Sequence, residues 1–224
     1  MTYKDNIARV KEAGYNKKQE AFNAISHIIG IPVAIIIFIV GLALFIKGQM
    51  TPSYFLGLLV FVITIIDVYF VSSLYHSTEA NTFNKKLFRV IDHCTIYLLI
   101  AGTYTPICVV LMTNHVIGLV MLLIEWGLAA LGIALNALLF NKKAVQVISL
   151  FLYLIMGWLV LFCGGFLYMP IMSFSFVLAG GIIYSIGCIL YSIGKKNLWV
   201  HSIFHVFVLV STIVQSIGVL LLYL

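Results

Sequence analysis

Charged residues are scarce in this chain of 224 residues: they make up only 9% of it, whereas 63% of the residues are hydrophobic and the mean hydropathy is +1.15. Soluble globular domains carry about 25% charged residues, so this composition excludes an ordinary soluble protein. Proline is also rare, with four residues in the whole chain. Long apolar runs are therefore left almost uninterrupted, which is typical of membrane-spanning helices.

Cysteine is equally rare, and the four cysteines indicate neither a disulfide framework nor a thiolate metal site. They lie within or at the end of apolar runs and show no CxxC or other ligand spacing. We interpret them as small apolar residues. They are Cys94, Cys108, Cys163 and Cys188.

The chain has few acidic residues, but its formal net charge of +6 does not indicate a nucleic-acid partner. The Lys and Arg residues stand in short segments between apolar runs, where they are expected to set membrane topology. The first 20 residues mix charges of both signs and have no apolar core followed by a small-residue cleavage site. We therefore expect no removable signal peptide.

Seven apolar stretches are each long enough to cross a hydrocarbon core about 30 Å thick as a helix. A bilayer offers no water to unpaired backbone groups, so runs of this length predict an all-α fold. The sequence predicts a seven-transmembrane helix bundle over residues 22–224, preceded by an amphipathic cytoplasmic segment over residues 1–21. The predicted spans are residues 22–46, 54–76, 88–111, 115–139, 145–163, 171–194 and 200–223.

Positive charge is strongly biased to one side of these spans. Of the 13 Lys and Arg residues, all except Lys47 fall in the amino-terminal tail or around the second, fourth and sixth connections. Lys195 and Lys196 form the basic pair of the sixth connection. The positive-inside rule predicts a cytoplasmic amino terminus, an outward carboxyl terminus and a multi-pass protein of the cell membrane.

Small residues and prolines predict how some of the helices pack. Gly180, Gly187 and Gly194 recur at intervals of seven in the sixth span, which we interpret as a surface for close helix contact. Pro32 and Pro106 fall inside the first and third spans. We expect them to kink their helices, because proline lacks the backbone N–H that a helix needs.

Five of the six histidines fall at the predicted cytoplasmic ends of the spans. His201 and His205, in HSIFH, are four residues apart, which places both imidazoles on one helix face. Catalytic zinc typically takes three protein ligands and a water molecule, and imidazole is a common ligand. His76, in SSLYH at the end of the second span, is the best third ligand. The sequence therefore predicts a Zn²⁺ site formed by His76, His201 and His205.

Two further polar residues lie at the same predicted depth. Ser72 stands one turn from His76, where its hydroxyl can hydrogen-bond a metal-bound water or a neighbouring carboxylate. Asp92 begins the third span, and an acid inside a membrane is costly unless it is paired, hydrogen-bonded or facing a wet cavity. Beside a metal-activated water Asp92 can act as a general base, so we predict Asp92 and Ser72 as the catalytic residues.

Each of these features also has a structural interpretation: the histidine pair can bond backbone carbonyls, the serine its own helix, and Asp92 can cap its helix. His27 is open between a supporting and a structural role. His93 points about 100° away from Asp92, so we expect it to bond another helix or a headgroup. Asp67 and Glu125 lie mid-span without a basic partner, and we expect them to be protonated and hydrogen-bonded rather than lining a wet cavity.

The motifs SSLYH, IDHCTIYLLIAGTYTP and HSIFH, in this order, resemble the hemolysin III family within the superfamily of adiponectin and progestin receptors, PAQR. The resemblance extends from EAFNAISHIIG to the end of the chain. In that superfamily the SxxxH histidine and both HxxxH histidines bind zinc, and the aspartate lies near the metal-bound water. The resemblance thus implies the same roles for His76, His201, His205 and Asp92.

Three positions depart from the pattern expected of that family. Phe204 stands in place of a tryptophan, Val200 in place of an asparagine, and Ile28 in place of a glycine. None of these differences removes a metal ligand, but they can alter the polarity of the cavity and hence the choice of substrate.

The resemblance to ceramidase-like relatives implies a zinc-dependent hydrolase of lipid amide or ester bonds, with membrane lipids as partners. The alternative is a non-enzymatic protein that perturbs membranes as a hemolysin, or serves lipid homeostasis, and holds zinc structurally. An open coordination position favours the first and a closed one the second. A transporter is a third hypothesis, suggested by Asp67 and Glu125, but no internal repeat supports it.

Overall fold

A computed structural model describes residues 3–194 and 197–224. Throughout these residues the secondary structure is helical and no strand is found, which confirms the all-α fold. Lys195 and Lys196, which contribute to the predicted charge bias, lie outside the described residues. In chain order the helices are α1 (Tyr3–Ala8), α2 (Lys17–Ile28), α3 (Gly30–Ile46), α4 (Pro52–Ser77), α5 (Phe83–Met112), α6 (Val116–Leu139), α7 (Lys143–Gly157), α8 (Leu159–Phe162), α9 (Ile171–Gly194) and α10 (Leu198–Leu220).

Within the described residues, six helical segments are long and apolar enough to cross a membrane. They are α2 together with α3, then α4, α5, α6, α9 and α10. Large apolar side chains such as Ile39, Leu123 and Ile189 are exposed on their outer faces, as expected for contact with lipid. These segments coincide with six of the seven predicted spans and confirm a polytopic membrane helix bundle.

The remaining predicted span, residues 145–163, is not one long helix. α7 ends at Gly157, and after Trp158 the chain continues as the four-residue α8. The Tyr104 hydroxyl of α5 donates to the Gly157 carbonyl at 2.8 Å and accepts from the Val160 amide at 3.3 Å. A side chain from another helix thus satisfies the backbone groups that the break leaves unpaired, which is how a membrane protein tolerates such a break.

The broken segment nevertheless follows α5 along most of its length. Near the start of α5, the Tyr153 hydroxyl donates to the His93 carbonyl at 2.8 Å. Towards the end of α5, Leu111 packs beside Gly165, in a 3₁₀ turn that follows α8. A seventh crossing made of α7, α8 and this turn stays a prediction.

The first crossing is also divided, because α2 ends at Ile28 and α3 begins at Gly30. Pro32 has no N–H to donate to the carbonyl four residues earlier, so the break lies where the prolyl ring predicts a disturbance. α5, by contrast, continues through Pro106 as one helix.

The glycine stripe of α9 packs against α10, as predicted. Gly180 faces Gln215, Gly187 faces Phe204, and Gly194 lies against the backbone of His201. A β-carbon added at Gly194 would stand 2.9 Å from the His201 nitrogen. The small residues therefore allow the first turns of α10, which carry the histidines, to approach α9 closely.

The segment before α2 folds back onto the end of the bundle where α4 ends and α5 and α10 begin, here termed the histidine end. Ile7 and Val10 are buried against Val90 and Phe140. The Glu12 carboxylate accepts from the Asn81 amide at 3.0 Å, and Lys86 donates to the Ala8 carbonyl at 2.8 Å. This segment therefore packs against both the α4–α5 and the α6–α7 connections.

Candidate metal centre

The end of α4 and the beginning of α10 bring the three predicted metal ligands together. His76 lies in the last turn of α4, whereas His201 and His205 lie in the first turns of α10. One ligand atom from each side chain lies within 4.8 Å of the other two, so this group can hold a metal ion. The Nε2 atoms of His201 and His205 are 3.0 Å apart.

The donor atoms of this group fit a zinc ion. His76 Nε2 is buried and has no hydrogen-bond partner among the described residues. Zinc binds imidazole nitrogens at about 2.0–2.1 Å, which places tetrahedral ligands roughly 3.3 Å apart, so small side-chain rotations would close the site around an ion. Neutral imidazoles suit zinc and neighbouring transition metals.

The other ring nitrogen of His76 is held by an acid from α2. His76 Nδ1 lies 2.6 Å from Glu20 Oε2, and the second Glu20 oxygen lies 2.6 Å from Lys85 Nζ. The amide of Asn23 is 3.5 Å from the same His76 nitrogen. The sequence alone did not link Glu20 to His76, although Glu20, Asn23 and His27 recur at helical spacing and share a face of α2.

His27 joins the histidine group from α2 without belonging to the set of three. Its ring centroid lies 3.8 Å from that of His205, with the planes 37° apart. Both of its ring nitrogens are buried and lack a hydrogen-bond partner among the described residues. The structure thus places His27 beside the metal ligands and in the wall of the adjoining cavity.

Asp92 and Ser72 line this same cavity, and their side chains hydrogen-bond to each other. His93 follows Asp92 but turns towards α9, where its Nε2 lies 3.1 Å from the Tyr191 hydroxyl. The expectation that His93 bonds another helix is therefore confirmed. Its Nδ1 accepts no metal-site contact and lies 2.8 Å from the Arg89 carbonyl.

The cavity is elongated and mainly apolar away from the histidine end. It encloses about 1120 Å³ of empty space, including its open mouth. Along α5 its wall extends from Asp92 to Tyr104, which corresponds to about 18 Å of helix. Ser72, Asp92 and the histidines lie at one end, whereas leucines, isoleucines and aromatic side chains form most of the rest.

A second depression continues this cavity to the side of the bundle between α7 and α9. Leu154 and Trp158 from α7 and Ser185 from α9 line both spaces. Ile189 and Ile193 border the outer space and are exposed on the bundle surface. The cavity therefore has a lateral opening on an apolar face.

Tyr15 covers the histidines from the amino-terminal side. Its ring centroid lies 5.4 Å from that of His76 and 5.3 Å from that of His201. Burial raises the pKa of the Tyr15 phenol above its ordinary value, so this hydroxyl stays protonated. The segment that precedes α2 thus separates the metal ligands from that end of the bundle.

Three other predicted candidates lie away from the centre. Glu125 is fully buried on α6, and neither of its carboxyl oxygens has a hydrogen-bond partner among the described residues, so the expected hydrogen bond is not found. His115 stacks on Tyr168 at the opposite end, with ring centroids 3.9 Å apart. Asp67 is partly exposed on α4, between the outward-facing Ile63 and Phe70.

Known proteins resemble this chain over most of its length. The hemolysin-3 homolog of Bacillus subtilis (strain 168) is 37% identical over 195 residues, which cover 86% of this chain and 88% of that protein. Hemolysin-3 of Bacillus cereus is 37% identical over 194 residues, which cover 86% of each chain. The model of the family described as Haemolysin-III related matches residues 15–216. The chain therefore belongs to the hemolysin III family, as a multi-pass protein of the cell membrane.

Proposed function

We propose that this protein is a zinc-dependent hydrolase that cleaves an amide or ester bond of a membrane lipid. One observation carries the proposal: the three converging imidazoles adjoin an elongated apolar cavity that also contains Asp92. Three histidines leave a fourth coordination position for water, as catalytic zinc sites do. A polar reaction centre at one end of an apolar cavity suits an amphiphile.

His76, His201 and His205 would hold the ion, which when bound acts as a Lewis acid that polarises a carbonyl group and acidifies a water molecule. Asp92 accepts the proton from the attacking water and passes it to the amine or alcohol that departs as the C–N or C–O bond breaks. Ser72, which hydrogen-bonds Asp92, orients the carboxylate.

The shape of the cavity supports a lipid as the substrate. Its apolar walls can bind an acyl chain and exclude bulk water from the reaction centre. Its opening between α7 and α9 lies on an apolar face, so a lipid can reach the cavity from within the bilayer. The cover formed by Tyr15 disfavours a polar substrate arriving from the histidine end.

We further propose that the histidine end faces the cytoplasm. The amino-terminal segment and the connections near Lys86 and Lys142 meet at this end and carry much of the positive charge. The positive-inside rule then places the reaction centre near the inner leaflet. This topology requires α7 and α8 to make a seventh crossing.

The test combines metal analysis with lipid-product profiling of protein purified without chelators and reconstituted in mixed-lipid vesicles. We expect about one zinc ion per wild-type chain and release of a fatty acid. Asp92→Asn is expected to retain zinc but to lower turnover about 10²–10⁴-fold, because it loses the general base. His205→Ala is expected to lose both zinc and turnover.

Two outcomes would overturn this proposal. Metal-free wild-type protein would remove the basis of the site, and full turnover by Asp92→Asn would show that Asp92 is not the base. Bound zinc without lipid turnover would instead favour a structural ion that joins α4 to α10. The relatives bear the name hemolysin, so leakage of the same vesicles is the measurement to make in that case.

A further inference from the structure

We propose that Glu20 is a positioning residue that presents His76 to the metal, and that Lys85 in turn positions Glu20. This inference rests on the metal site of the proposed function and adds a residue from α2 to it. It concerns how tightly and in which orientation the ion is held, whether or not the site turns over a lipid.

Only one of the two nitrogens of an imidazole can bind a given ion, and the partner of the other nitrogen decides which one it is. At His76 the 2.6 Å contact with Glu20 occupies Nδ1. A carboxylate accepts hydrogen bonds, so it favours the tautomer with the proton on Nδ1 and the lone pair on Nε2. His76 Nε2 is the buried nitrogen without a partner. Glu20 therefore selects the nitrogen that faces His201 and His205.

Glu20 is itself held in place by a buried cation. Lys85 is only 2% exposed, and its ammonium lies 2.6 Å from the second Glu20 oxygen. The same ammonium donates to the Tyr75 carbonyl at 2.8 Å and lies 4.5 Å above the Tyr75 ring centroid. Lys85 thus uses contacts on α4 to orient a carboxylate from α2.

The start of α2 provides a further constraint on Glu20. Asn16 caps this helix reciprocally with Gln19: each backbone N–H donates to the side chain of the other residue at 3.0 Å. Glu20 is the next residue, so its backbone lies in a turn that is fixed at its beginning. The metal ligand on α4 is therefore oriented through α2 and α5, two helices that supply no ligand to the group of three.

The competing explanation is that Glu20 and Lys85 form an ion pair that only joins α2 to α5. Zinc affinity separates the two explanations, because an ion pair of that kind would affect folding of the metal-free protein and leave the affinity unchanged. The full chain in detergent should be titrated with zinc in competition with a chelator. The thermal unfolding midpoint of the metal-free form should be measured in parallel.

We expect Glu20→Gln to weaken zinc binding about 10–100-fold, which is the range for loss of an outer partner of a metal ligand. Glu20→Asp should recover part of that loss, because it restores a carboxylate. Lys85→Met should weaken binding less than Glu20→Gln, because the carboxylate remains. Glu79→Gln is the matched control: Glu79 is an exposed acid near the same end and should leave the affinity unchanged.

Nitrogen NMR of histidine-labelled protein gives a second readout, since it distinguishes the two imidazole tautomers. In the metal-free wild type we expect His76 to carry its proton on Nδ1, and in Glu20→Gln we expect a mixture. Wild-type zinc affinity in Glu20→Gln would overturn the inference and leave the proposed hydrolase intact. Zinc binding that depends on Glu20, without any lipid turnover, would overturn the hydrolase alone.

Discussion

The two halves of the bundle contain buried polar groups in contrasting arrangements. At the histidine end Glu20 contacts both His76 and Lys85, and unpaired imidazole nitrogens face one another. In the opposite half Glu125 is equally buried, but it stands alone in an apolar region near Tyr104 and Cys108. Both regions contain costly unsatisfied atoms. Convergence of several donors, rather than burial of one polar group, therefore distinguishes a candidate site.

The largest expected difference between the halves concerns histidine. His201→Ala should abolish stoichiometric zinc binding, with a loss beyond the roughly 10–100-fold that an outer partner contributes. His115→Ala removes the same chemical group from the opposite end, where His115 only stacks on Tyr168, and should retain the full zinc content. Metal analysis of the two purified variants makes the comparison. Equal zinc content would show that the histidine end is not special.

Asp92 and Glu125 give the next contrast, between two acids inside the bundle. Glu125→Met replaces an acid without hydrogen-bond partners by an apolar side chain of similar size. We expect it to stabilise the protein by about 1–3 kcal/mol, the cost of an unsatisfied buried polar group. Zinc content and turnover should be unchanged, whereas Asp92→Asn loses turnover. Thermal unfolding in detergent measures the stability, and lost turnover in Glu125→Met would assign a functional role to the opposite half.

The smallest effect is expected at the cover of the histidine end. Tyr15→Phe retains the ring contacts with His76 and His201, so zinc affinity should change less than about twofold. Tyr15→Ala removes these contacts, each worth about 0.5–1.5 kcal/mol, and should accelerate zinc loss to a chelator by less than about tenfold per contact. Because the Tyr15 phenol stays protonated, Tyr15→Phe should also leave the pH dependence of zinc binding unchanged. A shifted pH profile would contradict this view of the cover.

Much of the fold follows from local patterns in the sequence. Hydrophobic length alone predicts six of the crossings, because each helix satisfies its own backbone in lipid. The four-residue spacings of HSIFH and SSLYH predict which side chains share a face, and the bundle brings those faces together. The packing role of the Gly180 stripe was also accessible, since small residues at regular spacing have few other uses in a membrane.

The remaining features depend on contacts between distant segments. The break after Gly157 is stabilised by Tyr104, which lies 53 residues earlier, so the apolar pattern of 145–163 does not reveal it. Glu20 and His76 are 56 residues apart, and no periodicity connects them. Such pairings become visible only when the helices are packed, and they include the contacts that orient the candidate ligands.

The lateral opening between α7 and α9 has a consequence for how rates should be expressed. For a substrate that arrives through this opening, the relevant concentration is its mole fraction among the surrounding lipids rather than its molarity in the tube. Diluting a suspension of vesicles with buffer would leave the turnover number constant, whereas diluting the substrate with an inert lipid at fixed total lipid would lower it. Two-dimensional encounter, not diffusion through water, then sets the upper limit of the reaction.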